Sequence, residues 1–278
     1  MGEEVTFCHR LLVVLKMFFL ELGRRKLSLL FLLAMPMIFF FVMYFTTEEA
    51  LTPIRLFNGT EDVVWQVSDR LLTALVMGSL GICATASFAA LTMIMGGIPT
   101  TRRLMLCGYR ASQLLLARVL LLAVIMLTST LIFSGVMLLL IKVNNRGLVF
   151  LGLFLVGLVG ICLGNLLGLF FNQEFQASVG LLAVLGSEVA MAMRSADVER
   201  FFPMHYPLEI IKMGAFTQAT NAFPFVLGSL GYSLVLLAVS LTIWSCRTQI
   251  HRHGGSSEHV LQSDEKGGKT SWQPFPKG

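Results

Sequence analysis

Charge is what this sequence is short of. Only 13% of its 278 residues are Asp, Glu, Lys or Arg, against 55% hydrophobic residues, and its mean hydropathy is +0.77. A soluble domain carries about a quarter of its residues charged, so a water-surrounded globule is excluded. Cysteine is scarce as well. The five are Cys8, Cys83, Cys107, Cys162 and Cys246. By the topology derived below none lies in an outside loop, so a disulfide framework is excluded and the thiols read as small buried hydrophobes. The metalloprotease pattern H-E-x-x-H is missing, and His251 with His253 supplies too few ligands for a zinc site. One stretch, Gly267-Gly268-Lys269-Thr270, looks like the end of a phosphate-binding loop. Ser263 stands where its first glycine belongs, and no strand pattern precedes it. The chain is therefore expected to be no enzyme, to hydrolyse no nucleotide alone and to bind no metal or cofactor. The long apolar runs also lack the alternation that marks a membrane barrel.

Those runs are what the sequence does have. About 20 residues of helix cross about 30 Å of hydrocarbon. Six stretches fit, at 27–45 (with Pro36 inside), 71–96, 114–141, 147–171, 175–193 and 222–246. Ahead of them, Phe7, Leu11, Phe18 and Leu22 recur at helical spacing. Lys16 and Glu21 interrupt a run too short to cross, so residues 1–26 are expected to form an interfacial amphipathic helix. No cleavable signal is expected, because the first spanning run lies behind Arg24, Arg25 and Lys26. Residues 247–278 are rich in Gly, Ser and charge and read as a flexible tail. The expected fold is an all-α polytopic membrane protein. It comprises the interfacial helix (1–26), a six-helix transmembrane domain (27–246) and the tail (247–278).

The net charge of +5 reports topology here, not nucleic-acid binding. One side of the six spans holds 14 of the 21 basic residues, among them Arg24, Arg25, Lys26, Arg102, Arg103, Arg110, Arg118 and Arg247. The other side holds Arg55, Arg70, Lys142, Arg146, Arg194, Arg200 and Lys212, together with half of the acids, among them Glu48, Glu49, Glu61, Asp62 and Asp69. The positive-inside rule then puts both termini in the cytoplasm. Arg118, near the start of the third span, is expected to snorkel to the interface.

Several residues stand out within this frame. Glu188 is the one acid well inside a span, which makes it a candidate for cargo handling or helix packing. Asn165, midway along the fourth span, reads as interhelical glue. Gly160, Gly164 and Gly168 repeat every four positions, a pattern that lets helix backbones approach closely. Before the last span, Leu208, Ile211 and Ala215 share a face while Glu209 and Lys212 lie off it, as expected of a short amphipathic or re-entrant outer segment. Asn58-Gly59-Thr60 is a glycosylation-type triplet that means something only in a eukaryotic secretory pathway. Between the second and third spans runs the basic stretch "TTRRLMLCGYRASQLLLARVL", residues 101–120. Its Leu104, Cys107 or Gly108, Ala111 and Leu115 make an apolar face, and Arg102, Arg103 and Arg110 lie away from it.

This order of elements resembles the transmembrane (permease) subunit of ABC-2 type ATP-binding-cassette exporters. The likeness covers roughly residues 5–246. In that family the segment between spans 2 and 3 is a coupling helix that docks on a separate ATPase. The resemblance assigns this role to Arg102, Arg103, Leu104, Gly108, Tyr109 and Arg110, with Tyr109 at the centre of the contact. Where the family often has an E-R-E-like run, this chain has Pro99-Thr100-Thr101-Arg102-Arg103. The resemblance further implies a dimer with a second copy or a related permease subunit. It also implies ATP and Mg on the partner ATPase, a bacterial cell-membrane location, efflux, and a hydrophobic or amphipathic cargo such as a drug, antimicrobial peptide or lipid. The alternative reading is a self-sufficient secondary transporter or channel that uses Glu188.

Overall fold

The computed structural model describes residues 9, 12–20, 23, 26–57, 62–106, 109, 111–171, 173–192, 202–217 and 221–264. Helix α1 covers residues 12–20. There follow α2 (Lys26–Thr46), strands β1 (Leu51–Phe57) and β2 (Asp62–Ser68), α3 (Asp69–Gly96), α4 (Ile98–Leu106) and α5 (Ala111–Leu140). The chain continues as α6 (Arg146–Phe170), α7 (Glu174–Ala192), α8 (His205–Phe216) and α9 (Phe223–Asp264). The long helices run back and forth between two ends, one marked by the β-hairpin and α8, the other by α1 and α4.

Four of these helices are long and apolar enough to cross a membrane: Asp69–Gly96, Ser112–Leu140, Arg146–Phe170 and Phe223–Cys246. The protein is membrane-embedded and predominantly helical. Helices α2 and α7 occupy the expected first and fifth spans but fall short of that measure. The apolar stretch of α2 among the described residues is Leu32–Thr46, and α7 has 19 residues with Glu174 and Glu188 among them. Ile132, Leu227, Leu234 and Val235 point out of the bundle. Such residues oppose folding in water and are matched by hydrocarbon.

The helices meet through small residues. A methyl group built on Gly160 would lie 2.7 Å from the Cys83 carbonyl oxygen, and one on Gly164 would collide with the Ser87 backbone. The Ser87 hydroxyl donates to the Gly160 carbonyl at 2.8 Å, so α3 and α6 touch backbone to backbone and share a hydrogen bond. Gly168, one turn on, has ordinary room, with Leu91 Cα at 3.4 Å. On the other side of α3, Gly81 accommodates Pro36 of α2, and Phe40 meets the Phe133 ring edge-on with centroids 5.6 Å apart. Asn145 caps α6 by accepting from the Leu148 amide at 3.2 Å, and its own amide donates to the Gly214 carbonyl of α8 at 2.8 Å. Gly152 and Gly214 let α6 and α8 cross at van der Waals distance.

Three expectations need correction. The fold is not purely helical: β1 and β2 form an antiparallel hairpin that pairs Leu51 with Ser68 and Phe57 with Asp62. The β-branched and aromatic residues Val63, Val64, Trp65 and Val67, preceded by the turn-forming pair Asn58-Gly59, are the strand signal that a glycosylation reading passes over. Of the two alternatives for the segment before the last span, the amphipathic one fails, because α8 is a helix buried nearly all round. Pro207, Leu208, Glu209, Ile210, Ile211, Met213, Gly214 and Ala215 are all buried, and the Glu209 charge is met by Lys212 at 2.8 Å. Helix α9 runs on to Asp264, where a flexible tail was expected from Arg247. Once a span has nucleated the helix, each added residue gains a bond without the nucleation cost. Residues 265–278, including the Gly267–Thr270 stretch, lie outside the described residues.

The α3–α6 seam separates two look-alike substitutions. Gly164→Ala forces a methyl into backbone that has no soft side chain to yield, and should destabilise the chain by about 1–3 kcal/mol. Gly168→Ala should be neutral to within about 0.5 kcal/mol. Thermal unfolding of the full chain in detergent distinguishes them.

Candidate functional site

The junction between α3 and α5 concentrates the polar groups at the α4 end. Only Gly97 separates α3 from α4. Pro99 in the first turn of α4 suits a position where no amide partner is required. The Gly97 carbonyl accepts from the Thr101 amide at 2.9 Å and from the Thr101 hydroxyl at 2.7 Å. It accepts a third bond from Nη2 of Arg118 at 3.2 Å, and the same nitrogen donates to Oγ1 of Thr101 at 2.5 Å.

Arg118 is 1% exposed, and its guanidinium lies over the Phe18 ring, 4.9 Å from the centroid. It does not snorkel. Fixed partners two turns into α5 hold it in place, and the carbonyl at the C-terminal end of α3 supplies partial negative charge. A methyl at position 97 would crowd both this guanidinium and the Met93 backbone carbonyl oxygen, the latter at 2.7 Å, so glycine is required there by close approach. Around the arginine, Val14 and Phe18 of α1 pack with Leu114, Ala117 and Leu121 of α5. Leu104, Met105 and Tyr109 close the cluster.

The six residues expected to form a coupling segment separate on this geometry. Leu104 packs inward. Tyr109 is half-buried against the α1–α5 cluster, and its amide bonds the Leu104 carbonyl at 3.2 Å, the six-residue closure typical of helix ends. Its bulk packs against the chain's own α1–α5 cluster. Arg103 is exposed. Arg102 lies in the backbone of α4, its side chain outside the described set, and Gly108 and Arg110 are outside the described residues. Leu115, expected on the same apolar face, packs elsewhere, with Ile94, Leu169 and Trp244.

Sequence reasoning passed over Leu106, which is 88% exposed at the end of α4, one turn from Arg103. It also missed the roles of Arg118, Thr101 and Gly97. A lone arginine two turns inside a greasy run was the available signal, since intramembrane charges are seldom idle.

The other singled-out residues lie apart from this junction. Glu188 is buried near the hairpin end of α7. Its Oε1 accepts from the Met204 amide at 3.4 Å, at the start of α8, where the helix end favours negative charge. Asn165 is fully buried, and neither side-chain atom meets a hydrogen-bonding partner among the described residues. Ile161 and Leu169, one turn to either side, sit in apolar clusters with Leu122 and Leu115, so the expected interhelical bond is absent there. Gly160, Gly164 and Gly168 line the α3 contact described above. Among the described residues, no group of three or more His, Cys, Asp or Glu could hold a metal ion.

Compared with known proteins, the chain matches no protein-family model and no curated protein.

The inward packing of Tyr109 and the outward placement of Leu106 have opposite thermodynamic consequences. Tyr109→Ala should cost about 1–2 kcal/mol of stability through lost apolar burial. Leu106→Gln should leave stability within about 0.5 kcal/mol of the parent. Denaturation midpoints of the two variants in one detergent make the comparison.

Proposed function

We propose that this chain is the membrane-spanning subunit of an ATP-binding-cassette exporter of the ABC-2 type. On this reading α2 and α7 also cross, giving six spans with both termini in the cytoplasm of a bacterial cell. The chain forms the cargo pathway with a second copy or a related subunit, and separate ATPase subunits bind ATP and Mg. The cargo is hydrophobic or amphipathic.

The observation that carries the reading is the α4 junction. A nine-residue helix is slung beneath two spans, anchored on one side by a buried arginine and presenting Arg103 and Leu106 outward. A basic loop that merely anchors topology needs no buried staple. A helix pushed by a soluble motor needs one face fixed to the membrane domain and one face free. The order of the remaining elements, from a helix packed on the bundle at α1 to a buried helix at α8 before the last span, agrees with the same reading.

Purification of the full chain from its host membrane tests this. An ATPase should co-purify, its turnover should rise with cargo, and the double variant Arg103→Glu, Leu106→Glu should lose the association while still inserting. The chain alone should hydrolyse no ATP, and Lys269→Ala should change nothing. Transport that runs on a proton gradient without ATP and stops in Glu188→Gln would replace this reading with the secondary transporter.

A further inference from the structure

We propose that Arg118 is a positioning residue that locks α4, α1 and the start of α5 into one rigid piece. The inference rests on the coupling role proposed above for its functional meaning, but its physical content stands on geometry alone.

Four elements meet at one side chain. Nη2 reaches the Gly97 carbonyl at the end of α3 and the Thr101 hydroxyl in the first turn of α4, and the cationic face covers Phe18 of α1. The arginine itself belongs to α5. With a single residue, Gly97, between α3 and α4, a force on α4 would otherwise be absorbed by rotation about that residue. The clamp closes that hinge. Rotating α4 away from α3 breaks the Thr101 bond and exposes a cation from a site where it is 1% accessible. Displacing α1 uncovers the same cation by removing the ring above it. Each motion is thus penalised through the same charge, which ties the motions together.

Lysine cannot substitute. Its ammonium is a point donor with a stronger hold on water, whereas the planar guanidinium can lie flat on Phe18 while its edge donates to two acceptors. Gly97 gives the guanidinium room, since a methyl there would press on it and on the Met93 carbonyl oxygen at 2.7 Å. Close approach, and not the backbone angle of φ −92° that any residue could adopt, accounts for the glycine.

The test uses the full chain in nanodiscs of phosphatidylcholine and phosphatidylglycerol, with amide hydrogen exchange followed over residues 98–106 and 152–168. Arg118→Met, Arg118→Lys and Gly97→Ala should each raise exchange in 98–106 by about tenfold or more, as loss of a charge-assisted bond implies. Thr101→Val should give a smaller rise, and exchange at 152–168 should stay at the parent value in all four. Arg118→Lys and Thr101→Val keep the buried site filled, so the test survives if Arg118→Met fails to fold; Gly97→Ala also presses on the Met93 carbonyl and is read only beside them.

Unchanged protection of 98–106 in Arg118→Lys and Gly97→Ala would overturn the proposal, whatever any partner does. If α4 loosens and a co-purified ATPase keeps its basal turnover but no longer responds to cargo, the clamp and the coupling role are both supported. If α4 loosens but no ATPase associates even with the parent chain, the clamp is supported and the exporter reading falls.

Discussion

The rest of the bundle hangs on the contact between α3 and α6. At Gly160 and Gly164 the two helices approach until backbone meets backbone, and the Ser87 hydroxyl bridges them. In hydrocarbon the hydrophobic effect does not drive helices together, so association relies on close packing and on polar groups that find each other. This seam supplies both. It fixes the spacing that lets α2 lie on the far side of α3 through Gly81 and Pro36. It also aims the two ends of α6 at their neighbours, α8 at the hairpin end and the Ile94, Leu115, Leu169 and Trp244 cluster at the other.

The two ends are built on different principles. The hairpin end is closed by packing: α8 is buried nearly all round, and Glu188 meets its first turn with a carboxylate. The α4 end is closed by a cation. Arg118 draws the carbonyl of Gly97, the hydroxyl of Thr101 and the ring of Phe18 around one buried guanidinium. A desolvated charge tolerates little displacement of its partners, so that end is stiff where it is attached. It remains open where Arg103 and Leu106 face outward.

Much of the architecture was legible in the sequence because membrane helices are written in composition. Except for the C-terminal end of α9, the long helices begin and end within a few residues of the apolar runs, and the four-residue glycine spacing of α6 marks the face that meets α3. What the sequence hid depends on partners distant along the chain. Arg118 and Thr101 stand 17 positions apart with no sign in the sequence that one would hold the other, and snorkelling was the local solution available to a lone arginine. Tyr109 stood out as a large amphipathic residue at a turn, and nothing nearby in the sequence showed that it joins Val14 and Phe18, some ninety residues earlier, in one cluster. The hairpin was obscured because its strands lie between spans, where helical periodicity governs the reading on both sides. Asn165 carried an expectation of a polar partner that its apolar neighbours do not meet among the described residues.

The central claim is that this chain crosses the membrane with the α4 junction facing the cytosol, where a soluble motor could reach it. Val64 in β2 and Leu106 in α4 are both exposed and lie at opposite ends of the bundle. In a chain whose own five cysteines are replaced by serine, single-cysteine variants Val64→Cys and Leu106→Cys can be treated with a membrane-impermeant maleimide on intact cells. Labelling of position 64 at once, and of position 106 only after the membrane is opened, is the result expected. Labelling of position 106 on intact cells, with position 64 protected, would contradict the topology and remove the α4 junction from the reach of any cytosolic partner.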